Sequence, residues 1–182
     1  MITLIKNATV ITMDDTRDDQ YEKLDIVIAD DTIKELTNEY KGKYDKLIDA
    51  TNKVVMPGLI NCHTHLGMSV FRATNDSLTL EKWLQEKIWP IEDKLTDDDI
   101  YYTTMLSCIE MIKSGTTTSN DMYYNCNGSL KAIKECQVRS LFSRCLMDSD
   151  GCGDKRIEEF LKLYNENVSQ DLITFSVAPH AI

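Results

Sequence analysis

The sequence predicts an α/β protein: a parallel sheet of about four strand–helix units preceded by a small β module. Three observations support this prediction. Short strand-like runs joined by polar turns fill residues 1–56, the pattern changes at Pro57-Gly58, and strands alternate with amphipathic helices from there on. Alternating strands and helices are typical of a parallel sheet covered by helices. We therefore predict two domains, 1–56 and 57–182.

The N-terminal module is predicted to contain five short strands. Asp25-Ile26-Val27-Ile28-Ala29 is one of them, rich in β-branched residues, and polar segments with turn-forming residues separate it from its neighbours. The predicted strands are Leu4–Met13, Leu24–Ala29, Thr32–Leu36, Leu47–Asp49 and Val54–Met56.

The second domain is predicted to contain four strands, each a β-rich run bounded by turn residues. They are Leu59–Cys62, Thr116–Met122, Arg139–Met147 and Leu172–Ala178. The helices between them are predicted at about Leu80–Ile88, Asp97–Ser114, Ser129–Gln137 and Asp154–Asn167.

Two of these helices carry signals for where they end. Pro90 is expected to end the first, because proline lacks the backbone N–H that a helix interior uses. Thr96 and Gly115 suit the N-cap and C-cap of the second. The buried face predicted for that second helix is Ile100, Thr104, Ser107, Cys108, Met111 and Ile112.

The number of strands raises a question about the fold. A closed (β/α)8 barrel needs eight units and typically about 250 residues. Four units form either an open sheet or the first half of such a barrel. The last predicted strand has no helix after it to cover its apolar residues, and this favours half of a longer TIM-like barrel.

Composition narrows the class of protein. With 42% hydrophobic and 27% charged residues, the chain is expected to fold as a soluble globular protein with a core. A net charge of -10 argues against nucleic acid or an anionic membrane as partner. The six cysteines form no C-x-x-C pair and no apolar stretch approaches a membrane span, so we expect reduced thiols and a cytoplasmic protein.

Two of the three histidines, His63 and His65, stand one residue apart after the first strand of the second domain. Residues i and i+2 of a strand point to the same side, so the two imidazoles are expected to lie together. Neutral imidazole is a common metal ligand, and active sites of α/β folds lie at the carboxyl ends of parallel strands. Two ordinary histidines near a loop would give the same spacing.

The wider pattern resembles a known family. Met56-Pro57-Gly58-Leu59-Ile60-Asn61-Cys62-His63-Thr64-His65 is similar to the metal-binding signature of the amidohydrolase superfamily. Further likeness lies in Trp89-Pro90-Ile91-Glu92, Ser114-Gly115-Thr116-Thr117-Thr118 and Asn120-Asp121-Met122-Tyr123. Within the superfamily the pattern resembles the 5-methylthioadenosine/S-adenosylhomocysteine deaminases and their chlorohydrolase-like relatives.

The resemblance implies a metal-dependent hydrolase with a distorted (β/α)8 barrel and a small β-sandwich made from both ends of the chain. His63 and His65 would hold one divalent ion, zinc or a similar metal. The other ligands, a histidine and an aspartate, and the proton-shuttling glutamate would lie beyond Ile182, so the catalytic residues stay unknown. The chain would then be an N-terminal fragment, less than half of a family member.

The resemblance also implies four substrate-binding residues. Glu92 would accept hydrogen bonds from the ribose, Arg144 and Arg156 would meet the carboxylate of adenosylhomocysteine, and His180 would line the nucleoside pocket. Each has a plainer alternative: Glu92 a solvated carboxylate at a helix end, His180 a structural histidine after a strand, Arg156 an exposed side chain. Arg144 lies in an apolar strand and needs a partner, for which Asp148 or Asp121 is a candidate. Trp83 and Trp89 would wall the pocket or belong to the core.

The function implied is hydrolytic deamination of an adenine nucleoside, such as 5'-methylthioadenosine or S-adenosylhomocysteine, with release of ammonia. Guanine, cytosine or triazine substrates on the same scaffold are one alternative, and a non-catalytic βα scaffold is another. The partner is expected to be a small molecule, with homo-oligomerisation possible. Taken alone, the 182 residues are expected to be inactive and to self-associate.

Overall fold

The computed structural model describes residues 1–16, 21–74 and 77–181. By its internal contacts the chain divides into two compact units, Met1–Pro57 and Gly58–Ile182. The two units are described separately below.

The first unit contains one five-stranded sheet. Its strands are β1 (Ile2–Ile11), β2 (Tyr21–Ala29), β3 (Thr32–Thr37), β4 (Lys46–Asp49) and β5 (Val54–Val55). The order is β3-β2-β1-β4, and β5 also pairs with β1. Strands β1, β2 and β3 run antiparallel, whereas β4 and β5 lie parallel to β1. The small β module predicted from the sequence is therefore present, and its pairing with further strands into a sandwich stays a prediction.

One face of this sheet supplies the core of the unit. Alternate residues of β1 and β2 point to that face because side chains alternate along a strand. The buried members are Ala8, Val10, Leu24, Ile26 and Ala50.

The second unit is built on a parallel sheet. Its strands are β6 (Leu59–Thr64), β7 (Thr116–Tyr123), β8 (Arg139–Met147), β9 (Ile173–Phe175) and β10 (Ala178–Ala181). The order is β10-β8-β7-β6, with β9 also paired to β8, and every pairing is parallel. The predicted sheet of βα units is confirmed.

The fourth predicted strand differs from the structure. Instead of one strand over Leu172–Ala178, there are two short strands, β9 and β10, separated by a break at Ser176 and Val177. Both of them pair with β8, one after the other along its length. The Ser176 N–H donates to the Phe142 carbonyl at 3.0 Å and keeps the chain against β8 through the break. Pairing then resumes and carries His180 inside β10, although the sequence suggested a position after the strand.

The helices of the second unit connect these strands. A 3₁₀ helix, Leu66–Phe71, follows β6 directly. The longer helices are α3 (Asp97–Ser114), α4 (Cys126–Cys136) and α5 (Gly153–Asn167). Residues from α3, α4 and the strands β8 and β9 bury a common core around Phe142, Ile133 and Cys108.

Helix α3 begins and ends as predicted. The Thr96 hydroxyl accepts from the Asp99 N–H while the Asp99 carboxylate accepts from the Thr96 N–H, which is a capping box. Gly115 takes the left-handed conformation, at φ 80°, that favours glycine at a C-terminal cap. The buried face was wrong in one member: Ile112 is 57% exposed, because it lies about 120° around the helix from Ile100 at 100° per residue.

The prediction that Pro90 ends a helix is also wrong. Helical structure runs from α1 (Leu80–Trp83) through a π-helical turn (Leu84–Ile88) into α2 (Trp89–Glu92). The Trp89 N–H donates to the Leu84 carbonyl, five residues back, and this widened turn lets Pro90 stand in the first turn of α2, where no N–H is needed. The continued helix brings Glu92 into the site described next.

Candidate active site

The site is formed at the carboxyl ends of β6, β7 and β8. Thr64 of β6 pairs with Asp121 of β7, and Tyr123 of β7 pairs with Arg144 of β8. Because the strands are parallel, the residues that follow each of them meet at one edge of the sheet.

His63 and His65 lie side by side at this edge. Their ring centroids are 5.3 Å apart and the rings are nearly perpendicular, at 79°. His65 Nδ1 lies 2.7 Å from the Met122 carbonyl oxygen, an atom that only accepts, so the proton of His65 is on Nδ1. Its Nε2 then carries the free electron pair, as in a metal-ligating histidine fixed by a backbone carbonyl.

These two imidazoles fit a divalent cation as two of its ligands. Zinc binds neutral imidazole nitrogen and ordinarily takes four ligands in all. Within residues 1–16, 21–74 and 77–181, no group of three or more histidine, cysteine or carboxylate side chains is placed to hold a metal ion. The described part of the chain therefore supplies an incomplete ligand set.

Asp121 secures the turn that follows His65. Its Oδ1 accepts a hydrogen bond from the Leu66 N–H at 2.8 Å, and the residue is fully buried. Its Oδ2 is buried and has no hydrogen-bond partner among the described residues. Burial raises the pKa of this carboxyl to about 7, and the bond from Leu66 only partly offsets that rise.

A mainly apolar cavity of about 320 Å³ opens beside His65. Five of the residues proposed from the sequence line its wall: His65, Trp83, Trp89, Glu92 and His180. The remaining wall residues are aromatic or aliphatic: Met68, Leu80, Leu84, Ile88, Met122, Tyr123 and Tyr124. His63 is exposed and is not part of this wall.

Glu92 is held at the cavity by Tyr123. The Tyr123 hydroxyl donates to Glu92 Oε1 at 2.6 Å, and the Tyr123 side chain is almost completely buried. Partial burial raises the pKa of Glu92, while the hydrogen bond from Tyr123 opposes this rise. The alternative of a solvated carboxylate at a helix end is therefore wrong for this residue.

A second, more polar cavity of about 620 Å³ shares Trp89, Glu92 and Tyr124 with the first. Arg144 and Arg156 both line it, so the two arginines proposed from the sequence come together.

Each arginine is paired with a carboxylate that the sequence did not reveal. Arg144 Nε donates to Glu159 Oε2 at 2.9 Å, so the suggested partners Asp148 and Asp121 are wrong. Arg156 donates to both oxygens of Asp150, each at 2.6 Å. Its side chain is only 15% exposed, which excludes the alternative of an exposed arginine.

Several wall residues were missed because no local signal distinguished them from core. Tyr123 and Tyr124 end strand β7, and position alone could have pointed to them, since site residues follow parallel strands. Leu80 and Leu84 lie in the helical segment before Trp89 and also line the wall.

No helix formed by residues 1–16, 21–74 and 77–181 has the length and apolar character needed to cross a membrane.

Together these features define a βα-barrel class of protein with a candidate metal centre at the carboxyl edge of the sheet. Residues 54–181 match the model of the Amidohydrolase family, and the chain belongs to that family. The likeness suggested by the sequence signature is therefore confirmed.

Curated relatives are similar along almost the whole chain. A 5-methylthioadenosine/S-adenosylhomocysteine deaminase from Pelotomaculum thermopropionicum is 41% identical over 186 residues, covering 98% of this chain and 42% of the relative. A 5'-deoxyadenosine deaminase from Methanosarcina mazei is 38% identical over 183 residues, with the same two coverages. The chain thus spans less than half the length of these relatives.

Solved structures show the same fold. An atrazine chlorohydrolase from Arthrobacter aurescens, complexed with zinc, has a TM-score of 0.85 at 21% identity, over 99% of this chain and 47% of that one. An adenosine deaminase from Xanthomonas campestris with bound zinc has a TM-score of 0.78 at 23% identity, over 98% and 42%. The prediction of the first part of a (β/α)8 barrel with an N-terminal β module is confirmed.

Proposed function

We propose that the full-length protein is a metal-dependent hydrolytic deaminase of adenine nucleosides modified at the 5' position, such as 5'-methylthioadenosine or S-adenosylhomocysteine. The names of the relatives, 38% to 41% identical, support this substrate class. The products would be ammonia and the corresponding inosine derivative.

The observation that carries the proposal is the fixed orientation of His65. Its Nδ1 is held by the Met122 carbonyl at 2.7 Å, so Nε2 is available to a metal at the wall of an aromatic cavity. Glu92 and His180 line the same cavity. A nucleoside, with a flat aromatic base at one end and ribose hydroxyl groups at the other, matches such a wall.

In this proposal His63 and His65 are two ligands of one divalent ion, most simply zinc. Lewis acidity, which lowers the pKa of water toward neutrality, is the chemistry that the ion supplies when bound. Two ligands leave a tetrahedral site incomplete. We therefore expect the remaining ligands and the proton-shuttling glutamate on later barrel strands.

The cavity residues bind and orient the substrate. Glu92, positioned by Tyr123, accepts from the ribose hydroxyls, and Trp83 and Trp89 cover the base and keep water out. His180 lines the same wall beside the base. Arg144 and Arg156 lie in the adjoining cavity, where a 5' substituent would extend.

We also propose a small-molecule partner and a cytoplasmic location for the protein. A small nucleoside suits a chain with net charge -10 better than a nucleic acid or a membrane surface does. The six cysteines are all unpaired, which suits the reducing cytoplasm.

The test compares the zinc-loaded full-length protein with its His65→Ala variant. The wild type is expected to retain about one zinc per chain and to release ammonia from 5'-methylthioadenosine. His65→Ala is expected to lose both the zinc and at least about 100-fold in kcat/KM, because metal affinity depends on every ligand.

Cys62→Ala is the matched control, because Cys62 is an exposed residue of strand β6, three positions before His65. It should keep zinc and activity. A zinc-loaded wild type that releases no ammonia from any adenine nucleoside, or a His65→Ala variant with unchanged zinc content, would contradict the proposal.

A further inference from the structure

The second cavity is lined by charged groups of both signs that the proposed deamination does not itself require. Arg144 and Arg156 line it together with the carboxylates of Glu92, Asp93 and Asp150. Both guanidinium groups already have carboxylate partners, Glu159 for Arg144 and Asp150 for Arg156. The cavity wall is therefore dipolar, with both signs of charge in reach of a ligand, and it carries no excess of positive charge.

The pair of Arg156 and Asp150 is the best-defined part of this wall. Arg156 Nη1 and Nη2 donate to the two Asp150 oxygens at 2.6 Å each, and Nη1 also donates to the Met147 carbonyl at 2.7 Å. The Cys152 N–H donates to Asp150 Oδ1 at 3.1 Å. These contacts hold the guanidinium and the carboxylate in one fixed arrangement.

Asp150 keeps capacity for a further donor. Arg156 and the Cys152 N–H donate three hydrogen bonds to this carboxylate, and the Asp150 N–H also lies close to it. The Asp150 side chain is nevertheless 50% exposed, so its carboxylate is open to a donor from a ligand. Arg156 likewise keeps its Nε hydrogen free of these bonds.

The chemistry of this wall distinguishes three kinds of 5' substituent. A neutral alkyl group would use none of its charges. A lone carboxylate would meet an arginine but would also add an anion beside Asp150. An α-amino-acid group carries an ammonium and a carboxylate on one carbon, so it matches neighbouring charges of both signs.

The family resemblance already gives Arg156 the carboxylate of the α-amino-acid substituent. We propose that Asp150, which is held against Arg156, accepts from the ammonium of the same substituent, so that the two residues form a zwitterion-recognition pair. This makes Asp150 a specificity-determining residue for substrates of the S-adenosylhomocysteine type. The inference rests on the proposed function, because the adenosine part must occupy the adjoining cavity.

The test uses three compounds with the zinc-loaded full-length protein: S-adenosylhomocysteine, its N-acetyl derivative and 5'-methylthioadenosine. In Asp150→Asn, the ratio of kcat/KM for S-adenosylhomocysteine to that for 5'-methylthioadenosine is expected to fall about tenfold, since a hydrogen bond to a charged group is lost. The ratio for the N-acetyl derivative, which has no ammonium, should stay within about twofold of the wild-type ratio.

The N-acetyl derivative separates recognition of the ammonium from orientation of Arg156. Equal losses for both amino-acid compounds would mean that Asp150 only positions Arg156. A gain for S-adenosylhomocysteine would mean that Asp150 competes with the substrate carboxylate. Either result overturns the inference. Asp154→Asn, which removes an exposed carboxylate from the first turn of α5, is the control for the loss of one charge.

Calorimetric titration keeps this test distinct from a test of the deaminase itself. If no compound releases ammonia, the proposed function is wrong. The affinities of S-adenosylhomocysteine and its N-acetyl derivative for wild type and Asp150→Asn then decide the inference. A tenfold preference for the zwitterion that disappears in the variant supports it, and equal affinities contradict it.

Discussion

Asp121 is a fully buried carboxylate, in an environment unlike that of a surface carboxylate. It anchors the turn after His65 through the Leu66 N–H, yet one of its oxygens is buried without a partner among the described residues. Burial raises its pKa from 3.8 to about 7. Between pH 3.8 and about pH 7 the folded protein holds a proton on Asp121 that the unfolded chain has lost. The free energy of unfolding therefore falls as the pH rises through this range.

We predict that Asp121→Asn flattens this pH dependence. The amide keeps an acceptor for Leu66 and carries no charge at any pH, so the penalty that wild type acquires toward neutral pH disappears. The difference in the free energy of unfolding between pH 5 and pH 8 should shrink by about 1.4 kcal/mol or more, the equivalent of one pKa unit. Urea unfolding of metal-free protein at both pH values measures it.

Asp98→Asn, which removes one exposed charge from the first turn of α3, is the control for the change in net charge. If Asp121→Asn shows the same difference between pH 5 and pH 8 as wild type, the carboxyl is not protonated in the folded protein.

At the scale of elements, the 3₁₀ helix after β6 connects the end of β6, where His63 and His65 lie, to Tyr123 and Glu92. Gly67 in this helix lies against the ring of Tyr123, and a Cβ placed there would be 2.9 Å from Tyr123 Cε1. Tyr123 is buried and donates to Glu92, so it has little freedom to move aside. The glycine lets the 3₁₀ helix, strand β7 and the helical segment ending at Glu92 meet in one place.

We predict that Gly67→Ala destabilises the protein by about 1–3 kcal/mol, the usual cost of overpacking a buried contact. The displaced Tyr123 ring should also raise KM for 5'-methylthioadenosine, because Glu92 loses its position. Urea unfolding and steady-state kinetics of the full-length protein measure the two effects.

Val70→Ala tests the same 3₁₀ helix without touching Tyr123. Val70 is 39% exposed, so its truncation should cost less than about 0.5 kcal/mol. Equal stability of Gly67→Ala and wild type would show that the ring has room to move.

At the scale of the whole molecule, strand β6 forms an edge of the parallel sheet that the described residues leave unpaired. Strand β6 pairs only with β7 among the described strands, and its first two side chains, Leu59 and Ile60, are 52% and 64% exposed. An exposed strand edge with apolar side chains is a site for pairing with another chain.

We predict that a polypeptide of these 182 residues self-associates. Light scattering coupled to gel filtration should give masses above the monomer value of 20.8 kDa that rise with concentration. Ile60→Lys, which puts a charge on the edge strand, should shift the distribution toward monomer. A single species of 20.8 kDa at every concentration, with or without that substitution, would contradict the prediction.

The sequence by itself determined the features that depend on neighbouring residues. Helix α3 is set by its own Thr96 cap and Gly115 end, the strands by their β-rich runs, and the pairing of His63 with His65 by the two-residue period of a strand. The resemblance to the family also came from short stretches, chiefly Met56 to His65, and the match over residues 54–181 confirmed it.

Only the tertiary structure decided which distant residues meet. His65 contacts the carbonyl of Met122, 57 residues along the chain, and Glu92 accepts from Tyr123, 31 residues along. Arg144 pairs with Glu159, although Asp148 is closer to it in sequence. Helical structure passes through Pro90 because the π turn before it rearranges the hydrogen bonds. Contacts of this kind depend on packing across the sheet, and local patterns of residue types do not predict which distant side chains that packing brings together.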